Sequence, residues 1–202
     1  MRTIFLTLIG ILAMGNLASC MAGNGRDTTE ERRVENYSAI EMDGVAQVYF
    51  TQAETYSLRI TGSERLVKAT QTEVRNHTLY IDQEKVKSNR GKISIFISAP
   101  RLDKVAFDGV GAFLCEERLD ADDIRFEIDG VGKVSVADLH CRSLLVEMDG
   151  VGSADIHADC RDLTASLDGV GKMTLSGKAG RAEINKDGVG VCDTRNLKTG
   201  QN

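Results

Sequence analysis

The chain has 202 residues and a formal charge of −5, from 25 basic and 30 acidic residues. A content of 42% hydrophobic and 27% charged residues is typical of a soluble globular domain and argues against a disordered or membrane-embedded chain. Net acidity without a long basic run argues against nucleic acid as a partner. The unusual number is 20 glycines beside one proline. They show no three-residue period, which excludes collagen.

The first 19 residues indicate a secretion signal. Arg2 precedes an apolar run over residues 4–13, which is shorter than the ~20 apolar residues that span a bilayer. Residues 17–20 then read Leu-Ala-Ser-Cys, which resembles the lipobox of bacterial lipoproteins, where cleavage precedes the cysteine and the cysteine carries the acyl chains. We therefore expect a lipoprotein signal peptide over 1–19 and lipidation at Cys20. The alternative is an ordinary cleaved signal with an incidental cysteine.

A polar stretch follows the predicted lipidation site. Residues 20–33 are rich in Gly, Asn, Asp, Thr and Glu, and we expect them to form a tether between the membrane and the folded domain. The membrane is then a partner through the N-terminal lipid, and stable attachment takes more than one acyl chain.

One tetrapeptide, Asp-Gly-Val-Gly, dominates the second half of the chain. A related sequence, Asp-Gly-Val-Ala, occupies residues 43–46, 65 residues upstream of the first copy and about three further steps away. The steps between the five copies are 21, 20, 19 and 19 residues, a regularity that predicts stacked structural units. The copies comprise Asp108, Gly109 and Gly111; Asp129, Gly130 and Gly132; Asp149, Gly150 and Gly152; Asp168, Gly169 and Gly171; and Asp187, Gly188 and Gly190.

The residues flanking each copy alternate between apolar and polar. Ile124, Phe126 and Ile128 precede the second copy, and Val134 and Val136 follow it. Period two predicts strands with one face turned inward, and a unit of about 20 residues must stack on its neighbours to bury that face. The prediction is an all-β fold, a parallel β-solenoid with coils of ~19–21 residues and a corner at each tetrapeptide.

The corner residues have separable expected roles. Glycine permits positive φ and close approach between coils, while valines and aspartates should form two ladders with ~4.8 Å between coils. Asx-turn hydrogen bonds would offset the repulsion between aspartates. The alternative is a row of carboxylates that binds divalent cations. Calcium takes six to eight oxygen ligands, so we favour the structural role and predict no metal.

We expect one solenoid domain over residues 34–195. Regular repeats begin at about residue 103, and the strand-rich part before them contains hairpin insertions. Lys186 stands at an inward position and suits a terminal capping coil. Residues 196–202 are expected to form a frayed tail.

Four cysteines remain beyond Cys20. Cys115 and Cys192 fall about four coils apart, roughly 19 Å at ~4.8 Å per coil, and a disulfide needs Cα atoms within ~7 Å. Cys141 and Cys160 occupy matching positions in adjacent coils. They are the candidate disulfide in an oxidising compartment, with two stacked buried thiols as the alternative.

No catalytic constellation emerges from the sequence. His140 and His157 lie near Cys141 and Cys160 and raise a zinc tetrahedron as an alternative, but the spacing matches no zinc module. We predict that the two histidines are structural or surface residues. The remaining acidic cluster is expected to be solvated, with paired acids for glycoside cleavage as the alternative; its members are Glu116, Glu117, Asp120, Asp122 and Asp123.

Residues 93–102 (ISIFISAPRL) lead into the first of the regular corners. Together with the strand-rich first half and the repeated Gly-Val-Gly corners, they resemble the family of putative auto-transporter adhesins with a head GIN domain. The resemblance covers roughly residues 35–195 and implies an envelope protein of Gram-negative bacteria with a β-helix-like fold, often a lipoprotein. It implies no catalytic residues and no cofactor.

The predicted function is therefore a lipid-anchored envelope protein, at the outer membrane rather than the inner. It would be non-catalytic and would present a solenoid surface to an unidentified protein or polysaccharide for adhesion, binding or scaffolding. The alternative is a small carbohydrate-active enzyme of the β-helix type.

Overall fold

The computed structural model describes residues 27–84 and 91–200. The predicted signal peptide and lipidated Cys20 lie outside these ranges. No described helix is long and apolar enough to cross a bilayer. The described residues form fourteen strands and one short helix, α1 (Glu64–Ala69). The strands are β1 (Asp27–Arg32), β2 (Ala39–Asp43), β3 (Val45–Gln52), β4 (Ser57–Ser63), β5 (Thr70–Arg75), β6 (Thr78–Gln83), β7 (Ile93–Ala99), β8 (Lys104–Phe107), β9 (Val110–Ile128), β10 (Val131–Met148), β11 (Val151–Leu167), β12 (Val170–Lys186), β13 (Val189–Asp193) and β14 (Leu197–Thr199).

The predicted parallel β-solenoid is confirmed. Each of β9 to β12 is one full coil, and successive coils pair in parallel along their length. The register aligns equivalent residues, so Phe113, Val134, Ala154 and Met173 form one inward row. These four side chains are at most 1% exposed. Stacking thus joins the inward faces of all coils into one continuous core.

The N-terminal half differs from the prediction in one respect. The coil that contains the corner at residues 43–46 stacks directly on the first regular coil, with Ile40 opposite Val105 and Val45 opposite Val110. We expected about three coils in the 65-residue gap between the two corners. The intervening chain instead forms the end of the stack, because β4 pairs antiparallel with β7 and β5 pairs antiparallel with β6.

This end of the solenoid is closed by hairpin strands and α1. Leu66 and Val67 of α1 are buried against the core. The hairpin between β5 and β6 turns through Asn76 and His77, whose φ angles are +50° and +62°. Positive φ at both residues of a two-residue turn suits the right-handed twist of a hairpin. The predicted hairpin insertions are therefore the cap of the N-terminal end.

The folded domain extends beyond its expected limits at both ends. The tether was expected to reach residue 33, but residues 27–32 form β1, which pairs antiparallel with β4. The Arg32 guanidinium fixes this strand by donating hydrogen bonds to the carbonyl oxygens of Val67 and Thr70, at 3.1 and 2.6 Å. The tail was expected to be frayed from residue 196, but Leu197 packs on the core and residues 197–199 pair with β12.

Candidate functional site: the valine ridge

The six corners of the described coils stack in register. One valine from each corner lies opposite the valine of the next coil, as the sequence predicts. At a coil spacing of ~4.8 Å, the row is about 24 Å long. We call this row the valine ridge; it consists of Val45, Val110, Val131, Val151, Val170 and Val189.

The valines point into solvent rather than packing at the corner. Five are 41–50% exposed, and Val189 is 73% exposed. Together with Val191, they account for the exposed large hydrophobic side chains in the described residues. Scattered surface hydrophobic residues need no explanation, but a continuous apolar strip is typical of a contact surface. The ridge is therefore the candidate functional site.

A row of carboxylates runs beside the ridge. Asp108, Asp129 and Asp149 are the first residues of three corners, and all three are exposed. The pKa of Asp129 is raised by partial desolvation and then by the charges of Asp149, Glu127, Asp108 and Glu147. The coulombic part of this shift indicates that the ionised Asp129 carboxylate is repelled by its acidic neighbours. A cationic partner would relieve that repulsion.

The predicted Asx-turn at the corner is wrong. The N–H groups of Asp129 and Gly130 both donate to the carbonyl oxygen of Phe107, at 2.9 and 3.2 Å, and the N–H of Val131 donates to Gly109 at 2.8 Å. The same pattern recurs at the next three corners. Main-chain oxygens of the preceding coil take these donors, so the aspartate side chains remain free to face solvent.

Close approach, not positive φ, explains the corner glycines. None of the ten glycines in the five tandem copies has a positive φ, which corrects the expectation from the sequence. A Cβ on Gly150 would overlap the carbonyl oxygen of Gly130, and a Cβ on Gly152 would overlap that of Gly132. Gly132 differs, since its Cβ would lie 3.2 Å from the Gly111 oxygen. The corners therefore need glycine because neighbouring backbones touch.

Cys141 and Cys160 are register partners on β10 and β11, and both are free thiols in the structure. The Cys141 thiol donates a hydrogen bond to Cys160, and this bond together with partial burial raises the pKa of the Cys141 thiol. Cys115 is buried, and burial raises its pKa to about 11. The neighbouring position of Cys141 and Cys160 matches the expectation, and their oxidation to a disulfide stays a prediction.

The two histidines that the sequence raised as candidate zinc ligands do not lie in one site. His140 contacts Asp138 at 2.9 Å, while His157 contacts Ser176 at 3.0 Å. No three His, Cys, Asp or Glu side chains within residues 27–84 and 91–200 are arranged to hold a metal ion.

The acidic cluster forms surface ion pairs. Asp120 pairs with Arg118, and Asp123 pairs with Arg142. The hydrogen bond from Arg118 lowers the pKa of Asp120, whereas a catalytic acid for glycoside cleavage needs a raised one.

The sequence did not reveal an outward cluster near the N-terminal cap. Tyr49 and Phe96 stack with their ring centroids 5.0 Å apart, and the Arg59 guanidinium lies 4.5 Å from the Phe96 ring. Both aromatic residues alternate with buried neighbours, a signal that could have placed them on the outer face. Since Phe96 is covered on one side by Arg59 and on the other by Tyr49, the pair reinforces the surface of the sheet.

The described residues form a parallel β-solenoid with an exposed apolar ridge along its corners. The sequence matches the family described as "Putative auto-transporter adhesin, head GIN domain" over residues 36–156 and 146–202. The chain belongs to this family. No curated protein matches it significantly.

Solved structures share the fold. A putative adhesin from Bacteroides fragilis NCTC 9343 is 25% identical with a TM-score of 0.67, and the alignment covers 86% of this chain and 97% of the other. A putative lipid binding protein from Parabacteroides distasonis ATCC 8503 is 22% identical with a TM-score of 0.76, covering 88% and 77% of the two chains.

Proposed function

We propose that the protein is a lipid-anchored, non-catalytic binding protein of the bacterial cell envelope, which attaches to a protein partner along the valine ridge. The observation that carries this proposal is that six of the seven exposed large hydrophobic side chains of the described residues lie in one row. A partner that contributes aliphatic side chains to the ridge and basic side chains to the aspartate row satisfies both features. The adhesin name of the family and of the Bacteroides fragilis relative supports such a role.

The repetition of the same side chains in each coil suits the ridge to multivalent binding. Each coil presents the same valine beside the same aspartate, so a repeated partner engages several equivalent contacts at once. Contacts that are weak one by one add up when they are linked on rigid supports, because each later contact forms at a high effective concentration.

The anchor places one end of the solenoid near the membrane. If Cys20 carries the lipid, six residues separate it from Asp27 at the start of β1. That length reaches about 25 Å when fully extended. The N-terminal cap then faces the membrane, and β13 and β14, which stack on β12, lie farthest from it. We place the protein at the outer membrane.

The binding role is tested by comparing the protein with a ridge variant. Residues 20–202 are immobilised and exposed to envelope proteins of the producing bacterium and to the same extract after protease digestion. We expect saturable binding that digestion abolishes. The triple variant Val131→Ser, Val151→Ser, Val170→Ser should lose it, because each substitution removes an exposed apolar contact without touching the core.

A matched control carries Ser135→Ala and Ser166→Ala, which lie on outward rows away from the ridge. Equal binding by wild type, control and ridge variant would refute the role of the ridge.

Lipid anchoring is tested separately. Cys20→Ser is expected to move the full chain from the membrane fraction to the soluble envelope fraction, because the acyl chains attach to the cysteine sulfur. The Cys115→Ser variant serves as the control and should stay with the membrane. Retention of the Cys20→Ser protein in washed membranes would refute the anchor.

A further inference from the structure

The valine ridge has different charges on its two flanks. Two positions before the valine of each tandem copy stands an exposed aspartate, and these residues form the aspartate row. Two positions after the valines lies another row of aligned residues, which we call the lysine flank. Asp155 and Asp193 lie one outward row further from the ridge on that side. The members of the lysine flank are Ala112, Lys133, Ser153, Lys172 and Val191, and both lysines are exposed.

The exposure of the inner valines is independent of the two ends of the chain. Each of the four inner valines lies between two described corners and is 48–50% exposed; they are Val110, Val131, Val151 and Val170. Main-chain hydrogen bonds between coils fix these corners, as in the bond from the Val151 N–H to the Gly130 oxygen at 2.9 Å. The strip is therefore a preformed surface, with an apolar centre, acids on one side and amines on the other.

A second copy of the chain carries the complement of this surface. Two ridges can face each other lengthwise in two symmetric ways. In the antiparallel way, a two-fold axis perpendicular to the ridges brings the two aspartate rows opposite each other. In the parallel way, a two-fold axis along the ridges brings the aspartate row of each copy opposite the lysine flank of the other. Like charges across an interface disfavour the first arrangement, and opposite charges favour the second.

The parallel arrangement matches the residues coil by coil. Without an offset along the axis, each ridge valine meets the same valine of the second copy. Asp129 and Lys133 flank Val131 on opposite sides, so Asp129 faces Lys133 of the second copy. Asp168 faces Lys172 of the second copy in the same way, and the two-fold axis repeats both contacts. The lysines would relieve the repulsion that acidic neighbours impose on Asp129.

The size of the contact predicts a weak dimer. The ridge is about 24 Å long, and four residues at ~3.3 Å each separate the two flanks by about 13 Å. The strip thus covers roughly 300 Å² on each copy, and contacts of this size are weak in solution. Attachment to one membrane compensates, because two anchored copies meet at a high effective concentration. The parallel arrangement puts both N-terminal caps at the same end, as two copies lipidated at Cys20 in one membrane require.

We propose that the valine ridge binds the ridge of a second copy of this chain in a parallel, two-fold symmetric dimer, with aspartates of each copy opposite lysines of the other. This inference rests on the proposed function and identifies its protein partner. The second copy contributes aliphatic side chains to the ridge and basic side chains to the aspartate row, as that function requires. Both copies project from the same membrane, so the contact joins neighbours on one cell.

A charge exchange tests the pairing of the flanks. Sedimentation equilibrium of residues 20–202 under reducing conditions should show a weak monomer–dimer equilibrium. The variants Lys133→Glu, Lys172→Glu and Asp129→Lys, Asp168→Lys should each dimerise about tenfold more weakly, because like charges then face each other. A mixture of the two variants should recover the wild-type affinity, since both sides of the mixed dimer again join opposite charges. That recovery also requires both variants to be folded.

The control for the charge exchange reverses two basic residues outside both flanks. Arg142→Glu, Lys178→Glu changes the net charge as much as the lysine variant does and should dimerise as the wild type does. A wild type that stays monomeric at millimolar concentration would overturn the proposal. Equal dimerisation by the wild type, the two charge variants and their mixture would overturn it too.

Single cysteines on the ridge determine the orientation. Val131→Cys and Val170→Cys are each placed in a Cys20→Ser background, which alone serves as the control. In the parallel dimer each introduced thiol meets its own equivalent, so either variant alone should form a disulfide-linked dimer on mild oxidation. In an antiparallel dimer centred on Val151, residue 131 would meet residue 170. Cross-linking only in the mixture of the two variants would therefore overturn the proposal.

The outcomes separate this proposal from the proposed function. The ridge variant Val131→Ser, Val151→Ser, Val170→Ser should lose dimerisation as well as binding to the envelope extract. Ridge-dependent binding to the extract by a chain that sediments as a monomer would overturn the second copy as the partner and leave the proposed function standing. Equal binding of the extract by wild type and ridge variant, together with a dimer that obeys the charge exchange, would support the dimer and refute the ridge as the site that binds the extract.

Discussion

At the scale of single residues, close contact between neighbouring backbones constrains most of the corner glycines. Gly152→Ala is expected to destabilise the protein by about 1–3 kcal/mol, because the new Cβ would overlap the Gly132 carbonyl oxygen and push two coils apart. Gly132→Ala is the matched control, since its Cβ would meet the Gly111 oxygen at 3.2 Å and needs only a small shift. Urea unfolding measures both variants. Equal midpoints for the two would contradict the close-approach explanation.

The aspartate row leads to a prediction about pH. The pKa of Asp129 is raised in the folded state, so its protonated form stabilises the fold, and that contribution is lost as pH rises through the raised pKa. Asp129→Asn removes the ionised form and should increase stability at pH 7. Below the ordinary pKa of 3.8 the wild-type carboxyl is protonated and the difference should vanish. Thermal unfolding at pH 7 and pH 3 checks this, and a difference that is independent of pH would contradict it.

The outward direction of the valines could not be predicted from the sequence. The alternation on both sides of a corner assigns strand residues to the inner or outer face, but it does not continue through two glycines and a valine. Main-chain bonds such as Val131 N–H to Gly109 oxygen fix the corner backbone, and they depend on the coil beneath. The stacking of the valines was predictable because it requires only a constant repeat.

At the scale of elements, the pairing of β10 with β11 brings Cys141 opposite Cys160. Adjacent strands lie ~4.8 Å apart, within the Cα separation that a disulfide accepts. We expect protein exported to an oxidising compartment to contain this disulfide, and its closed loop of about 19 residues should add about 3 kcal/mol of stability. Alkylation before and after reduction, followed by peptide mass analysis, measures it. Cys115 should react only after unfolding, and free Cys141 in exported protein would contradict the prediction.

Regular and irregular elements differ in how far the sequence predicts them. In β9 to β12, equivalent residues of every repeat lie in the same inward row. The alternation around Phe126 or Val146 was therefore sufficient to predict the buried residues of all four coils. The pairing of Val45 with Val110 joins residues 65 positions apart and has no local signature. Strand β1 was missed because its six residues are polar and its order depends on β4 and on the Arg32 hydrogen bonds to the main chain.

At the scale of the whole molecule, the coil is the unit of construction. Deleting residues 150–168 joins Asp149 to Gly169 and recreates an Asp-Gly-Val-Gly corner between β10 and β12. We expect this variant to fold with a shorter ridge and lower stability, because stacked repeats interact mainly with their neighbours. Deleting residues 150–159 is the control and should prevent folding, since it removes half a coil. Circular dichroism and resistance to protease distinguish the two, and loss of structure in the whole-coil variant would contradict the modular description.

The register of the corners has a consequence for how such proteins diversify. Because Val131, Val151 and Val170 occupy one row whatever the number of coils, duplication of a 19- or 20-residue unit lengthens the ridge by about 4.8 Å without creating a new kind of surface. A repeated coding sequence supplies such duplications and losses through unequal recombination. The length of the contact strip can therefore change in a single genetic event while its chemistry is inherited intact.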